Sequence, residues 1–89
     1  MEQDLAHVLS RAGNWAVVHL PGRQFPGIHV QGDTFATLRT SLVGAARSLR
    51  RDPADPEGLE GLEGAIKEMD VMLSFYEQAL ADHGLKRPY

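Results

Sequence analysis

The spacing of apolar residues along this chain of 89 residues predicts four elements, the first of them a short helix at the N-terminus. Between residues 2 and 12 the apolar side chains recur at intervals of three and four, and Gly13 follows the last of them. These side chains are Leu5, Val8, Leu9 and Ala12. We therefore expect a helix over residues 1–13 with one apolar side.

Residues that favour strands predict a β-hairpin over residues 15–31. The segment from Trp15 to Leu20 is rich in β-formers, and apolar and polar residues alternate from Gly27 to Gln31. Between them, Pro21 and Gly22 fit the two central positions of a type II turn, because proline has a fixed negative φ and glycine accepts a positive one.

A helix is predicted over residues 33–51, followed by a linker at residues 52–55. Asp33 or Thr34 can accept hydrogen bonds from the free N–H groups at its start, and Pro53 requires the helix to end. Its apolar side chains lie three or four residues apart, at Phe35, Leu38, Leu42, Ala45 and Leu49. This spacing predicts one apolar stripe that packs against a partner.

The clearest pattern is in residues 56–83, which we predict to form a long helix, with a tail at residues 84–89. Asp55 and Pro56 suit the start of this helix, and Gly84 suits its end. Its apolar side chains follow the heptad spacing of three and four without a break. They are Leu59, Leu62, Ile66, Met69, Leu73, Tyr76 and Leu80. A second apolar stripe beside this row, at Met72, Phe75 and Ala79, widens the predicted buried face.

Three glycines near the start of this helix leave its continuity open. Gly58, Gly61 and Gly64 each cost a helix about 1 kcal/mol relative to alanine. Either they weaken the first turns, which Leu59 and Leu62 would then hold by packing, or they allow another backbone to approach closely.

The length of the last helix predicts a homodimer. Residues 57–83 would span roughly 40 Å as a helix, whereas a compact chain of this size is about 30 Å across. An isolated two-stranded hairpin is also only marginally stable. A second copy of the chain would solve both problems, so we expect the heptad row to form the oligomer interface.

Composition indicates one α+β domain over residues 1–89. Hydrophobic residues make up 43% of the chain and charged residues 24%, which is typical of globular proteins. No apolar run approaches the roughly 20 residues of a membrane-spanning helix. The first residues, Met1 to Asp4, do not resemble a secretory signal, so we expect a cytoplasmic location.

Charge is distributed unevenly along the chain. Residues 1–51 contain six bases and three acids, whereas residues 52–89 contain nine acids and three bases. Attraction between the two halves would support contact within one chain or across a dimer. Arg47, Arg50 and Arg51 lie close together, but they complement a helix end and have no interleaved aromatic residues. We therefore expect no nucleic-acid partner.

The residues predict no catalytic, cofactor-binding or metal site, and hence no enzyme. The four histidines have no metal-ligand spacing, and no serine lies in a nucleophile motif. An alternative interpretation is a small-molecule-binding protein or small enzyme, with a pocket near His19, His29 and Asp33 in which the histidines meet across the hairpin. A candidate recognition loop consists of Arg23, Gln24, Phe25 and Pro26.

Two resemblances arise in the stretch from Val18 to Thr34. Residues 20–33 read Leu-Pro-Gly-Arg-x-Phe-Pro-Gly-x-x-x-Gln-Gly-Asp. This motif resembles the signature of a small bacterial domain family of unknown function, which implies a hairpin followed by a helix and no particular activity. Phe25-Pro26-Gly27 and Gln31-Gly32-Asp33-Thr34 are also similar to the strand-to-helix passage of HicB-like antitoxins, which implies binding of a small RNase partner.

The sequence therefore favours a non-catalytic protein-interaction or regulatory module. We expect it to associate with itself, and another protein is a further candidate partner.

Overall fold

A computed structural model describes residues 5–89, in which three β-strands precede two α-helices. The strands are β1 (His7–Arg11), β2 (Trp15–His19) and β3 (Gly27–Val30), and the helices are α1 (Gly32–Arg51) and α2 (Pro56–Asp82). The α+β prediction is confirmed.

These elements belong to two compact units. The sheet unit contains the three strands together with Met72–Tyr89, and the hairpin unit is Gly32–Val71, which contains α1 and the first part of α2. The single domain over residues 1–89 stays a prediction, and each unit is described by itself.

The predicted N-terminal helix is wrong, because His7–Arg11 form strand β1. Residues 1–4 of the predicted range 1–13 lie outside the residues that the structure describes. β1 pairs antiparallel with β2, with His7 opposite His19. The apolar spacing that suggested a helix covers only eleven residues. A helix that short is marginal by itself, and hydrogen bonds to β2 give this backbone a more stable alternative.

The three strands form one antiparallel sheet in the order β1, β2, β3, where only a two-stranded hairpin was predicted. β2 is central, and its Val17 is fully buried. Residues 12–14 join β1 to β2, and Gly22 has the positive φ of 76° that the predicted turn before β3 requires. The third strand supplies the pairing that a lone hairpin lacks.

Helix α2 begins and ends at the capping residues that the sequence contains. Oδ1 of Asp55 accepts a hydrogen bond from the backbone N–H of Glu57 at 3.1 Å. At the other end Gly84 has a φ of 67°, and the N–H of Leu85 donates to the carbonyl of Leu80 at 2.8 Å, as in a Schellman cap. Between these caps the helix is continuous through all three glycines.

The buried stripe of α2 lies one residue away from the predicted heptad row. Buried residues recur at intervals of seven along the helix, at Gly58, Ala65, Met72 and Ala79. The residues that follow the first three are about half exposed, at 50% for Leu59, 45% for Ile66 and 44% for Leu73. Successive helical residues differ by about 100° in direction, so a shift of one residue turns these bulky side chains away from the buried face.

Gly58 accounts for this rotation, because it lets α1 and α2 approach each other closely. A Cβ atom at Gly58 would lie 3.0 Å from the Cβ of Ser48 and 3.0 Å from the Cγ of Leu49, which is tighter than side chains normally pack. At Gly61 it would lie 3.5 Å from the Cβ of Ala45, an ordinary contact distance. Close backbone approach is therefore the role of Gly58, whereas a Cβ atom would fit at Gly61.

In the sheet unit, the last turns of α2 cover the central strand. Val17, Tyr76, Ala79 and Leu80 form the buried core there. The hydroxyl of Tyr76 donates a hydrogen bond of 2.6 Å to the carbonyl of Pro26, in the loop before β3. Burial raises the pKa of Tyr76 above its ordinary value, because the phenolate would lose its hydration. This side chain thus joins α2 to the sheet both by packing and by a hydrogen bond.

Replacing Gly64 by alanine should stabilise the protein, whereas replacing Gly58 should not. Within the described residues no atom lies near a Cβ at Gly64, so alanine gains about 1 kcal/mol of helix propensity there. At Gly58 the same gain is offset, because Ser48 and Leu49 must move. Urea unfolding followed by circular dichroism should show a higher free energy of unfolding for Gly64→Ala and an unchanged or lower one for Gly58→Ala. Equal gains would contradict the close helix contact.

Replacing Tyr76 by phenylalanine should lower the free energy of unfolding by about 1–2 kcal/mol, because the carbonyl of Pro26 loses its donor. Tyr89→Phe is the matched control, since Tyr89 is 63% exposed and the change there should stay below about 0.5 kcal/mol. Thermal or urea unfolding of the three proteins checks this order.

Tyr76→Phe also tests the raised pKa of Tyr76. Because the folded protein holds this proton more tightly than the unfolded chain, the stability it contributes is complete below about pH 10 and is lost as the pH rises through the folded-state pKa. Unfolding measured above about pH 10 should therefore depend less on pH in Tyr76→Phe than in the wild type. The same dependence in both would show that the buried phenol is not responsible.

Candidate interaction surfaces

The part of the predicted oligomer row that lies in the hairpin unit is largely exposed. Leu59 is 50%, Ile66 45% and Met69 40% exposed, and Leu62 is half-buried. Leu73, the next member of the row, is 44% exposed. In these positions α2 thus presents bulky apolar side chains to solvent.

The last two members of the predicted row have a different location. Tyr76 is 6% exposed and Leu80 is 0% exposed, and both pack with Val17 in the core of the sheet unit. The predicted interface is corrected accordingly: these two side chains cover the sheet of their own chain, and the exposed part of the row ends before them.

Helix α1 carries a second exposed row. Phe35 was predicted in the apolar stripe of this helix, but it is 61% exposed. From Phe35, a spacing of three and four leads along one side of α1 through Arg39, Val43, Ala46 and Arg50. Val43 is half-buried and the other members are exposed. The row therefore combines apolar and basic side chains.

Both rows lie on the same side of the hairpin unit. α1 and α2 run antiparallel, since Gly58 packs near Leu49 and Gly61 near Ala45. On each helix the exposed row is turned from the buried contact in the same sense along the chain. The rotation is roughly a quarter to a third of a turn for most of the row, including Leu59 and Ile66, and about 40° for Met69. When two antiparallel helices lie side by side, rows that are rotated about each helix axis by the same angle and in the same sense from the contact lie on the same side of the pair. We call this surface the hairpin face, consisting of Phe35, Val43, Leu59, Ile66 and Met69.

The two helices that form the hairpin face have net charges of opposite sign. α1 contains four bases and one acid, whereas the part of α2 in the hairpin unit, residues 56–71, contains five acids and one base. Glu63 and Asp70 each follow an exposed apolar residue of α2 by four positions, so they lie beside the apolar row. Within residues 5–89 no ion pair joins α1 to α2; the one present is between Arg87 and Glu77. The charges at the hairpin face are therefore not neutralised by direct pairing in the chain.

The candidate recognition loop borders an open cleft in the sheet unit. Phe25 is 37% exposed, while Pro26 is buried. All four loop residues line the cleft, together with Ile28, His29 and Pro88 among others. Contact of this loop with another protein stays a prediction.

The tail after α2 folds back onto that helix. A guanidinium N–H of Arg87 donates to the carboxylate of Glu77 at 3.0 Å, and the hydroxyl of Tyr89 donates to the same carboxylate at 2.9 Å. The ring of Tyr89 stacks on Tyr76 with centroids 6.5 Å apart. An exposed ion pair contributes at most about 1 kcal/mol, and an aromatic pair about as much, so the tail is held by weak contacts beside the cleft that Pro88 lines.

The strand register separates the two histidines that the alternative hypothesis brings together. His29 lies opposite Ala16, whereas His19 lies opposite His7. Because Ala16 and His19 are three residues apart on β2, His19 and His29 lie on opposite faces of the sheet. Nε2 of His19 is 2.7 Å from the carbonyl oxygen of Arg23, so its hydrogen bond is within its own loop.

Asp33, the third residue of that hypothesis, lies in the first turn of α1 in the hairpin unit. Its Oδ1 accepts a hydrogen bond from the N–H of Thr34 at 2.8 Å, at the helix start where the sequence predicted a cap. In the part of the chain that is described, no three histidine, aspartate or glutamate residues are grouped so that they could hold a metal ion. Nor is any described helix both long and apolar enough to cross a membrane.

Sequence reasoning missed the exposed row on α1, the strand β1 and the tail contacts. The row has the same spacing as the predicted stripe and includes Phe35, so a second stripe beside the first was detectable. The dipeptide Gly13-Asn14 between two short β-prone segments is a hairpin signal that would have indicated β1. The bond from Tyr89 to Glu77 spans twelve residues and has no local signal.

Comparison with known proteins places the chain in a family without assigning a role to it. No curated protein and no solved structure matches it. The similarity to HicB-like antitoxins therefore stays a prediction. A family model does match, over residues 1–89, and the domain of unknown function expected from the sequence is consistent with it. The chain belongs to this family, the family of unknown function DUF6959.

Proposed function

We propose that this chain is a non-catalytic interaction module that assembles as a homodimer through its hairpin face. The observation that carries the proposal is the exposed apolar row of α2, in which Leu59, Ile66 and Met69 are 40–50% exposed. Large apolar side chains that lie together on one surface, beside polar residues, are typical of protein interfaces. Phe35 on α1 extends the same surface.

The hairpin face is large enough for a stable complex. The 20 residues of α1 make a helix about 30 Å long, and two helices side by side are about 20 Å wide. Their shared face then measures about 600 Å² in projection. The accessible surface of such a face is larger than its projection, and each partner of a standard stable complex buries about 800 Å². Two copies of this face are therefore comparable in area with a standard interface.

The charges favour a second copy of the chain as the partner. A two-fold interface brings the same surface together from both subunits, so the surface must complement itself. The hairpin face meets this condition, because it carries basic residues such as Arg39 on α1 and acidic residues such as Asp70 on α2. A partner with a single sign of charge would repel one half of it.

The non-catalytic part of the proposal is supported by the separation of the groups that could perform chemistry. His19 and His29 lie on opposite faces of the sheet, and the carboxylate of Asp33 accepts a hydrogen bond at the start of α1. A catalytic base held by a carboxylate would need two such groups within hydrogen-bond distance.

The assembly is tested by the mass of the protein in solution. Sedimentation equilibrium at micromolar concentration should give twice 9.8 kDa for the wild type. Ile66→Glu should give the mass of one chain, because a buried, unpaired carboxylate in each copy disfavours the dimer. Val71→Glu is the matched control: Val71 is also 50% exposed on α2, but helical geometry turns it away from the hairpin face.

A single-chain mass for the wild type throughout the micromolar range would contradict the dimer. Equal loss of the dimer in Ile66→Glu and Val71→Glu would instead assign the interface to another surface. Circular dichroism spectra of both variants check that they remain folded.

A further inference from the structure

The hairpin face can pair with a copy of itself in two arrangements around a two-fold axis. In the like-over-like arrangement, α1 lies on α1 of the partner and α2 lies on α2. In the crossed arrangement, α1 lies on α2 of the partner, and the axis runs parallel to the helices. Both arrangements cover the same apolar side chains, so apolar burial does not distinguish them.

Charge distinguishes the two arrangements. α1 has a net charge of +3, from four bases and one acid, and the part of α2 in the hairpin unit, residues 56–71, has a net charge of −4, from one base and five acids. The like-over-like arrangement brings charges of the same sign together on both helix pairs. The crossed arrangement brings opposite signs together twice. Juxtaposed like charges strongly disfavour an interface, so the crossed arrangement is preferred.

The register within one chain fixes which charges would meet in the crossed arrangement. A rotation about an axis parallel to the helices does not move the partner along the helix direction. Each residue of the partner therefore stays level with the same residue of the first chain. Leu49 is level with Gly58, and Ala45 is level with Gly61. Because the helices are antiparallel, earlier residues of α1 are level with later residues of α2. Extending this register puts Arg39 at a height between Glu63 and Asp70, less than one turn from Asp70 and slightly more than one turn from Glu63. Arg39 also lies in the exposed row of α1.

We infer that the dimer is crossed, with Arg39 of each chain facing Glu63 and Asp70 of the other, so that the hairpin face takes a second copy in one defined orientation. This inference rests on the proposed homodimer. It adds the orientation of the two copies and the residues that select it. Each dimer then contains the charged contact twice, because the two-fold axis repeats it.

Charge reversal tests the orientation, with sedimentation velocity used to measure the dimer dissociation constant. Arg39→Glu alone should raise this constant by about tenfold or more, because it places a carboxylate against two others at both symmetric sites. The double variant Glu63→Lys with Asp70→Lys should raise it similarly. Arg51→Glu is the matched control, since it changes the net charge of α1 equally but is turned away from the hairpin face.

An equimolar mixture of Arg39→Glu with the double lysine variant should restore a dimer, because both helix contacts then pair opposite charges. Native mass spectrometry should identify it as the heterodimer, since the two variants differ in mass. The recovery of a dimer also shows that both variants are folded.

The crossed orientation would be overturned if Arg39→Glu dimerised as tightly as the wild type and the Arg51→Glu control, or if the mixture gave no heterodimer. Either result would contradict the crossed orientation without contradicting the wild-type homodimer. A wild type with the mass of a single chain would remove the proposed homodimer and this inference with it.

Discussion

The close contact between α1 and α2 at Gly58 determines which side of the long helix faces outward. Gly58 and Gly61 face α1, Ala65 is buried one to two turns further along, and a Cβ at Gly58 would already lie 3.0 Å from side-chain atoms of α1. Glycine in a helix costs about 1 kcal/mol, and the packing of the two backbones offsets this cost. Since small residues occupy the inner side, the larger Leu59 and Ile66 are turned toward solvent.

This rotation gives α2 different roles in the two units. In the hairpin unit it packs through small residues and exposes large ones. In the sheet unit its last turns bury Tyr76 and Leu80 on Val17, and the hydroxyl of Tyr76 bonds to the carbonyl of Pro26. The apolar residues that the sequence spaces so regularly are thus divided between the core of the chain and a surface. That surface, with acidic residues on one helix and basic residues on the other, has the properties of a self-complementary interface.

The sequence could predict features that depend on neighbouring residues. Asp55 caps α2 and Gly84 ends it, and the turn at Gly22 has the required positive φ, because each of these depends on local backbone chemistry. The α+β class follows from the same signals. Strand β1 could not be predicted from helical spacing in so short a segment, since its structure depends on pairing with β2.

At Gly58 and Ala65 the buried side of α2 was missed by one residue, whereas Met72 and Ala79 belong to the second predicted stripe. The miss has a physical reason. Hydrophobicity ranks Leu59 and Ile66 above Gly58 and Ala65, but burial here is decided by how closely two backbones approach. Such proximity is a tertiary property. The exposed row on α1 was also missed, because Phe35 has the spacing of the buried stripe. Phe35 lies at the edge of that stripe and is exposed.

Thiol labelling is the most direct test of this account, because the chain contains no cysteine and a single introduced one reports only on its own position. The measurement compares the labelling rates of Ala65→Cys and Ile66→Cys over a range of protein concentrations. If α2 packs on α1 through its small residues, position 65 is protected at every concentration, while position 66 reacts rapidly in dilute solution and more slowly as the chains associate. Protection of position 66 in dilute solution, or equally rapid labelling at both positions, would contradict this packing.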